Sequence, residues 1–317
     1  MPTYSGPRRS CLTKISRNEI HRQGKKIIYL PIAPSGGVRT LRDVVLSEAA
    51  SDGLTVCQIS SLYSFCFYLR DPKCIKILSL YTLPLAFFCK GPTYLHIHGF
   101  PILSHRPVKS IALWFFYLLA SLSRKPAIMN SILTDSICTE VLGLFLQSTR
   151  LLCPYSQNLY SQITLCSTSN LQEITVSPLR IVFAGTLEPP KGILSITQGF
   201  CIFNLNQDSE LFIIGKGSLT TSIPRHPDIH VYEWMEKPKV EEILSTCHVA
   251  ISLNPLEPLG LFYIEALKMG LHVIAPIHTG FAENDIIRNH SRVHFINDIN
   301  PASVAQKLEH IRSLFPD

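Results

Sequence analysis

From Lys25 onward, short apolar runs of strand length alternate with Gly- or Pro-marked turns and segments of helical period, and this alternation limits what the chain can fold into. Adjacent parallel strands need a long crossover, usually a helix, so a strand–helix repeat builds a parallel sheet with helices on both faces. The repeat is cleanest in the second half. Strands are predicted there at 180–184, 210–214, 229–232, 248–253, 272–275 and 293–296, and helices at 192–203, 238–245, 260–269 and 303–314. Ile193, Ile196, Phe200 and Phe203 share one face of the first of these helices, and Val304, Leu308, Ile311 and Phe315 share one face of the last.

The first half carries the same rhythm less evenly. Strands are predicted at 27–32, 54–59, 93–98, 127–133 and 150–153. One helix lies inside 35–53, with Val38, Leu41, Val45 and Ala49 on a common face, and another spans 108–122. Thr134 or Asp135 can cap the helix that follows residue 133. Residues 60–90 are apolar and aromatic, broken by Pro72 and Pro84, and show no clear period. The Ser-, Thr- and Asn-rich stretch 155–178 reads as a linker, and 1–24 as a flexible basic tail. With 317 residues the chain exceeds what one core usually serves. The expectation is therefore an α/β protein of two Rossmann-like domains, over 25–165 and 178–317. Ligands of such sheets bind at the carboxyl ends of the strands, so two domains facing each other leave a ligand cleft there.

Charge separates the halves further. Residues 1–170 hold 18 Lys and Arg against 7 Asp and Glu, whereas the remainder holds 11 against 16. The basic first half suits an anionic partner, either a membrane surface or a phosphorylated acceptor, rather than nucleic acid. Much of that surplus is in the first 26 residues, so a basic tail accounts for part of it. Ten cysteines show no Cys-x-x-Cys pair, and Cys57, Cys66, Cys89 and Cys201 lie in apolar runs, as small hydrophobes do. That usage fits a reducing cytoplasm rather than a disulfide framework. The polar, basic start has no apolar core of a signal peptide, and the longest apolar stretch, 111–120, is too short to span a bilayer. A soluble or peripheral protein is expected.

The sharpest motif starts at Glu257, passes through Gly260 and Leu261, and reaches Glu265 seven intervening residues later. A helix entered through a glycine offers free backbone N–H groups and the positive end of its dipole, which suits a diphosphate. Carboxylates on either side can accept hydrogen bonds from sugar hydroxyls. A Glu pair at this spacing often arises by chance, and the second Glu could simply favour the helix dipole. In its context of Gly-Leu after the first Glu and Glu-Ala-Leu at the second, the segment resembles the Glu-x7-Glu signature of retaining family-4 glycosyltransferases. That resemblance implies a GT-B fold and a nucleoside-diphosphate-sugar donor. It assigns Glu257 to the transferred sugar, the backbone of Gly260 and Leu261 to the diphosphate, and Glu265 to the ribose.

Further segments agree in order. Residues 183–192 look like the family's Gly-Arg-Leu loop ending in Lys-Gly, with Lys191 facing the diphosphate and Thr186 standing where Arg is common. Residues 211–217 resemble the strand and turn near the nucleotide base, with Gly215 and Gly217 in the turn, although Gly-x-Gly after a strand is by itself weak. Gly36 and Gly37 resemble the family's first glycine loop, where missing side chains let N–H groups approach phosphate; an ordinary strand-to-helix turn would look alike. His98 falls by position on the family's active-site histidine. His96 points the same way on the strand, but no Cys, Asp or Glu is close in sequence, so structural histidines are favoured over a zinc site.

The resemblance thus implies a metal-independent hexosyltransferase that needs no cofactor. It would act on a glycan or lipid-linked acceptor in polysaccharide or glycolipid synthesis. It covers 178–300 firmly and 27–160 in outline, and the family's bracing C-terminal helix is not expected after Asp317. A nucleotide-sugar 2-epimerase shares this fold, and a non-catalytic partner subunit would keep it too.

Overall fold

The computed structural model describes residues 13–14, 26–29, 36–57, 67–99, 107–153, 159–160, 163 and 178–315. They fall into two compact units, Met1–Asn158 and Leu159–Asp317. Leu159, Tyr160 and Ile163, which the sequence reading puts at the end of the first domain, therefore belong to the second. The rest of the expected linker, most of the expected tail and Val38's side chain lie outside the described residues.

Among the described residues the first unit is a seven-stranded, all-parallel sheet. Its strands are β1 (Thr13–Lys14), β2 (Lys26–Tyr29), β3 (Thr55–Val56), β4 (Cys74–Ser79), β5 (Thr93–Ile97), β6 (Ala127–Met129) and β7 (Arg150–Leu152), in the order β1-β7-β6-β5-β4-β2-β3. Thr13 and Lys14, expected in a flexible tail, instead pair with Leu151 and Leu152 as an edge strand. The helix Gly36–Ser51 presents Leu41, Val45 and Ala49 to the core.

The stretch without readable period contains β4, which pairs with β2 on one side and β5 on the other. Lys76 interrupts its apolar run and is itself buried. Its ammonium donates to the carbonyls of Asp71, Cys74 and Lys90, which use all three of its protons. A charge with a full set of acceptors can lie inside a sheet that periodicity alone assigns to apolar residues. After β6 the helical turn Ile132–Ser136 is capped by Ser131, whose Oγ accepts from Thr134 N at 3.2 Å. Asp135, one of the two expected caps, pairs with Arg150 at 3.3 Å instead.

The second unit follows the sequence reading closely. Strands β8 (Leu179–Ala184), β9 (Ser209–Ile214), β10 (Ile229–Tyr232), β11 (Val249–Ile251), β12 (His272–Pro276) and β13 (Val293–Ile296) form a parallel sheet ordered β10-β9-β8-β11-β12-β13. Helices Ile193–Asn204, Lys237–Ser245, Leu261–Lys268 and Pro301–Arg312 alternate with them. The first and last pack together through Gly199, where a Cβ would meet Val304 Cβ at 2.6 Å, so only glycine allows the approach. Asn300 caps the last helix, accepting from Ser303 N at 2.8 Å.

Candidate functional site

In the second unit the motif residues gather at the carboxyl edge of the sheet. After β8 the chain turns through Gly185 and the exposed Thr186 to Lys191, and Gly192 enters the next helix at φ 69°. After β9 come Gly215 and Gly217. A Cβ on Gly215 would lie 1.8 Å from the Gly185 carbonyl oxygen, and one on Gly217 2.3 Å from that of Leu187. The two glycines are needed because the turns after β8 and β9 lie directly against each other, joined by bonds from Leu187 N to the Lys216 carbonyl and from Leu219 N to that of Leu187.

After β11 the chain runs through Asn254 and Glu257 to Gly260, which caps the helix Leu261–Lys268 at φ 75°. A Cβ on Gly260 would meet Tyr263 at 2.6 Å and Phe281 at 2.9 Å, and the left-handed conformation excludes most other residues on its own account. Tyr160 braces this turn, donating to the Leu259 carbonyl at 2.9 Å, and Tyr263 donates to that of Ser252 at 2.6 Å. The N–H groups of the helix's first turn have no intrahelical acceptor, which leaves an anion-binding end.

Glu257 lies in that end, and both oxygens of its carboxylate are engaged. Lys191 Nζ donates to it at 2.9 Å, Asn254 Nδ2 at 3.2 Å and Gly260 N at 3.2 Å. Burial opposes its charge, but the Lys191 ammonium and these three donors outweigh burial and hold the carboxyl below its ordinary value. Glu265 lies on the same helix and pairs with Lys237 at 3.1 Å, in a more exposed setting. Sequence reasoning missed Asn254 and Lys237. Asn254 leaves a trace as the Asn of an Asn-Pro turn, with its Oδ1 accepting from Leu256 N at 3.2 Å, whereas Lys237 leaves none.

The first unit brings a different chemistry to the carboxyl edge of its sheet. Gly36 and Gly37 open the helix after β2; the turn before them lies outside the described residues. His98 follows β5 and stacks on the buried His96 at 4.3 Å between ring centroids. Asn130, after β6, donates through Nδ2 to the His98 carbonyl at 3.5 Å, so its Oδ1 faces His96 Nε2 at 2.8 Å. His96 therefore carries its proton on Nε2 and accepts at Nδ1 from the Tyr29 hydroxyl. That hydroxyl is left to accept from His98 Nε2–H at 3.0 Å, which leaves Nδ1 as the unprotonated nitrogen of His98. Burial, followed by the neighbouring His96, holds the His98 imidazole well below its ordinary pKa, so it is neutral. Tyr29 and Asn130 were invisible to sequence reasoning, since neither belongs to a motif.

Residues 178–313 match the family of glycosyl transferases group 1. The α,α-trehalose-phosphate synthase (UDP-forming) of Burkholderia xenovorans, solved with glucose-6-phosphate, is similar in structure at 10% identity and a TM-score of 0.60, over 90% of this chain and 91% of that one. A glycosyltransferase from Rickettsia africae gives 13% identity and 0.58, over 92% and 89%. The Anabaena protein Alr3699/HepE, solved with UDP, gives 12% and 0.57, over 91% and 90%. At these identities the likeness is one of fold. No curated protein sequence matches the chain. The sheets, their helices and these structural likenesses define the fold: an α/β protein of GT-B architecture with two Rossmann-like units. The match to glycosyl transferases group 1 lies within its second unit.

Proposed function

We propose that this protein is a retaining, metal-independent glycosyltransferase of the family-4 type. It moves a sugar from a nucleoside-diphosphate sugar to a glycan or lipid-linked acceptor, in cell-surface polysaccharide or glycolipid synthesis at the cytoplasmic side. The observation that carries this reading is the Lys191–Glu257 pair at a glycine-entered helix end. A cation and a carboxylate held together there can separate onto the two parts of a donor. Lys191 turns to the diphosphate, with the N–H groups at Gly260 and Leu261, while Glu257 accepts from hydroxyls of the transferred sugar and Glu265 from the ribose. The developing charge on the leaving diphosphate is met by Lys191 and backbone dipoles, so the reaction needs no cofactor. In the first unit, Gly36 and Gly37 offer backbone N–H groups to phosphate, and neutral His98 accepts a sugar hydroxyl at Nδ1.

The test is melting of the purified protein in the presence of chelator, with uridine, guanosine and adenosine diphosphates side by side. HepE was solved with UDP, which puts uridine first. One of the three is expected to raise the melting temperature, with about 2.7 kcal/mol of linkage at a hundredfold excess over Kd. Lys191→Ala should shrink that shift. If no nucleoside diphosphate or nucleotide sugar moves the melting of folded protein, the transferase reading is lost. Incubation of the donor without acceptor should leave its sugar unchanged, whereas a 2-epimerase would convert it.

A further inference from the structure

We infer that the first unit carries a docking face for an anionic lipid bilayer, built from the helix Pro107–Leu122 and the 3-10 helix Leu80–Phe88. The long helix is buried on one side through Ser110, Tyr117 and Ala120. At 100° per residue, Val108, Ile111, Phe115 and Leu122 fall within about 60° of arc on the other side. All four are exposed, Val108 by 82% and Leu122 by 63%. An amphipathic helix on a core normally turns its polar side outward; this one turns an apolar side outward.

The neighbouring 3-10 helix extends the same character with Tyr81, Phe87 and Phe88, which are also exposed. Tyr81 packs edge-on against Phe116 at 5.7 Å, so the two elements are in contact. Aromatic and aliphatic side chains displayed together by two packed elements are uncommon on a surface that faces only water.

Charge selects the occupant. From Pro72 to Thr134 the chain has no Asp or Glu, but it has Lys73, Lys76, Lys90, Arg106, Lys109, Arg124 and Lys125. Lys76 is consumed inside the sheet, whereas Lys90, Lys109 and Arg124 are exposed at the ends of the two apolar elements. Two apolar elements whose own chain carries cations and no anions match the interior and headgroups of an anionic leaflet at once: the rings enter the acyl boundary and the cations meet phosphate. A protein partner of ordinary mixed charge gains nothing from the missing carboxylates. Among the described residues no helix is long and apolar enough to cross a membrane, so the contact is peripheral.

The experiment uses the full chain and vesicles of phosphatidylcholine with or without phosphatidylglycerol. Sedimentation is expected with the anionic vesicles only, weakening as salt rises. Ile111→Ser with Phe115→Ser, and separately Phe87→Ser with Phe88→Ser, should each lower the bound fraction at least tenfold while melting stays cooperative. Trp114 and Trp234 are the two tryptophans of the chain, so in Trp234→Phe the emission reports the face alone. It should be quenched by brominated acyl chains. Folded protein that ignores anionic vesicles at low salt overturns the inference. So does binding that survives both serine pairs, or a concentration-dependent dimer that those pairs abolish without lipid binding. The inference does not rest on the transferase reading. A chain that docks without binding a nucleoside diphosphate keeps the face and loses the function, and the opposite result loses the face alone.

Discussion

The two units place polar side chains at the same edge of the same kind of sheet, yet they hold them by opposite means. In the second unit the group is charged and local. Lys191, Asn254, Glu257 and Gly260 come from two turns, and three of them lie within seven residues. In the first unit it is neutral and long-range. Tyr29, His96 and His98, and Asn130 come from the ends of three strands, and the Tyr29–His96 bond joins residues 67 apart. A charged group at a helix end can be specified by a short motif, because the backbone supplies much of its environment. A neutral relay depends on which strands the fold sets side by side, and a short motif does not encode that.

The largest expected effect tests the charged region. Glu257→Gln keeps the shape but removes the anion that Lys191 faces, and it should lower turnover about 10²–10³-fold, the scale of a lost electrostatic contact in a reacting site. Affinity for free nucleoside diphosphate should change much less, since the proposed contact of Glu257 is to the sugar. Glu265→Ala should do the reverse, weakening nucleotide binding by roughly 1–3 kcal/mol with a smaller change in turnover. Steady-state rates beside calorimetric nucleotide affinities measure both. Equal, small changes from the two variants would remove the distinction drawn between the carboxylates.

An intermediate effect tests the neutral region. Tyr29→Phe removes the hydroxyl that donates to His96 and accepts from His98, freeing both rings and the tautomer of His98. Turnover should fall about tenfold, the order of one or two hydrogen bonds, with the nucleotide-induced melting shift unchanged because no part of the relay is in the second unit. Resonances of the imidazole nitrogens should report the tautomer directly: Nε2-protonated His98 in the natural protein, a mixture in the variant. A single unchanged tautomer in Tyr29→Phe would show that Tyr29 does not set it.

The same contrast explains what was legible. The six strands of the second unit were readable because most of their apolar runs are bounded by Gly, Pro or charge, and the residues facing the core keep their period. Strand β4 was not, although it is central. Lys76 breaks its pattern, and what makes a buried lysine tolerable there, the carbonyls of Asp71, Cys74 and Lys90, is visible only after folding. The cap is Ser131, where the sequence points to Thr134 or Asp135, for a related reason. Asp135 is committed to Arg150, fifteen residues away, and sequence gives no sign of that pairing. Glu257, Lys191 and Gly260 were found from a pattern, whereas Tyr29, Asn130 and Lys237 needed the sheets to be assembled.

The smallest effect separates the two regions along the pH axis. Burial, and then His96, hold His98 well below 6.5, so the folded protein keeps it neutral where the unfolded chain would protonate it. Between the folded value and 6.5 the unfolded state binds more protons, and stability is lost as pH falls through that window. One group contributes at most about 1.4 kcal/mol per pH unit. Glu257 also destabilises the fold in acid, but later. Its carboxyl is held below 4.5, so its contribution is intact above that value and is lost only as pH falls through the folded one. His248, His272, His290 and His294 in the second unit are likewise lowered by burial, to about 4 for His272 and His294, and they add slope of the same sign. The comparison is therefore made by difference. His98→Asn should flatten the melting-temperature curve against the natural protein between about pH 7 and 5, the span in which an ordinary histidine takes up its proton. Glu257→Gln should run parallel to the natural protein over that span and diverge only below about pH 4.5, the ordinary range of a glutamate. If His98→Asn keeps the full slope above pH 5, the imidazole is not held neutral by its burial, and the first unit is not the uncharged counterpart of the second.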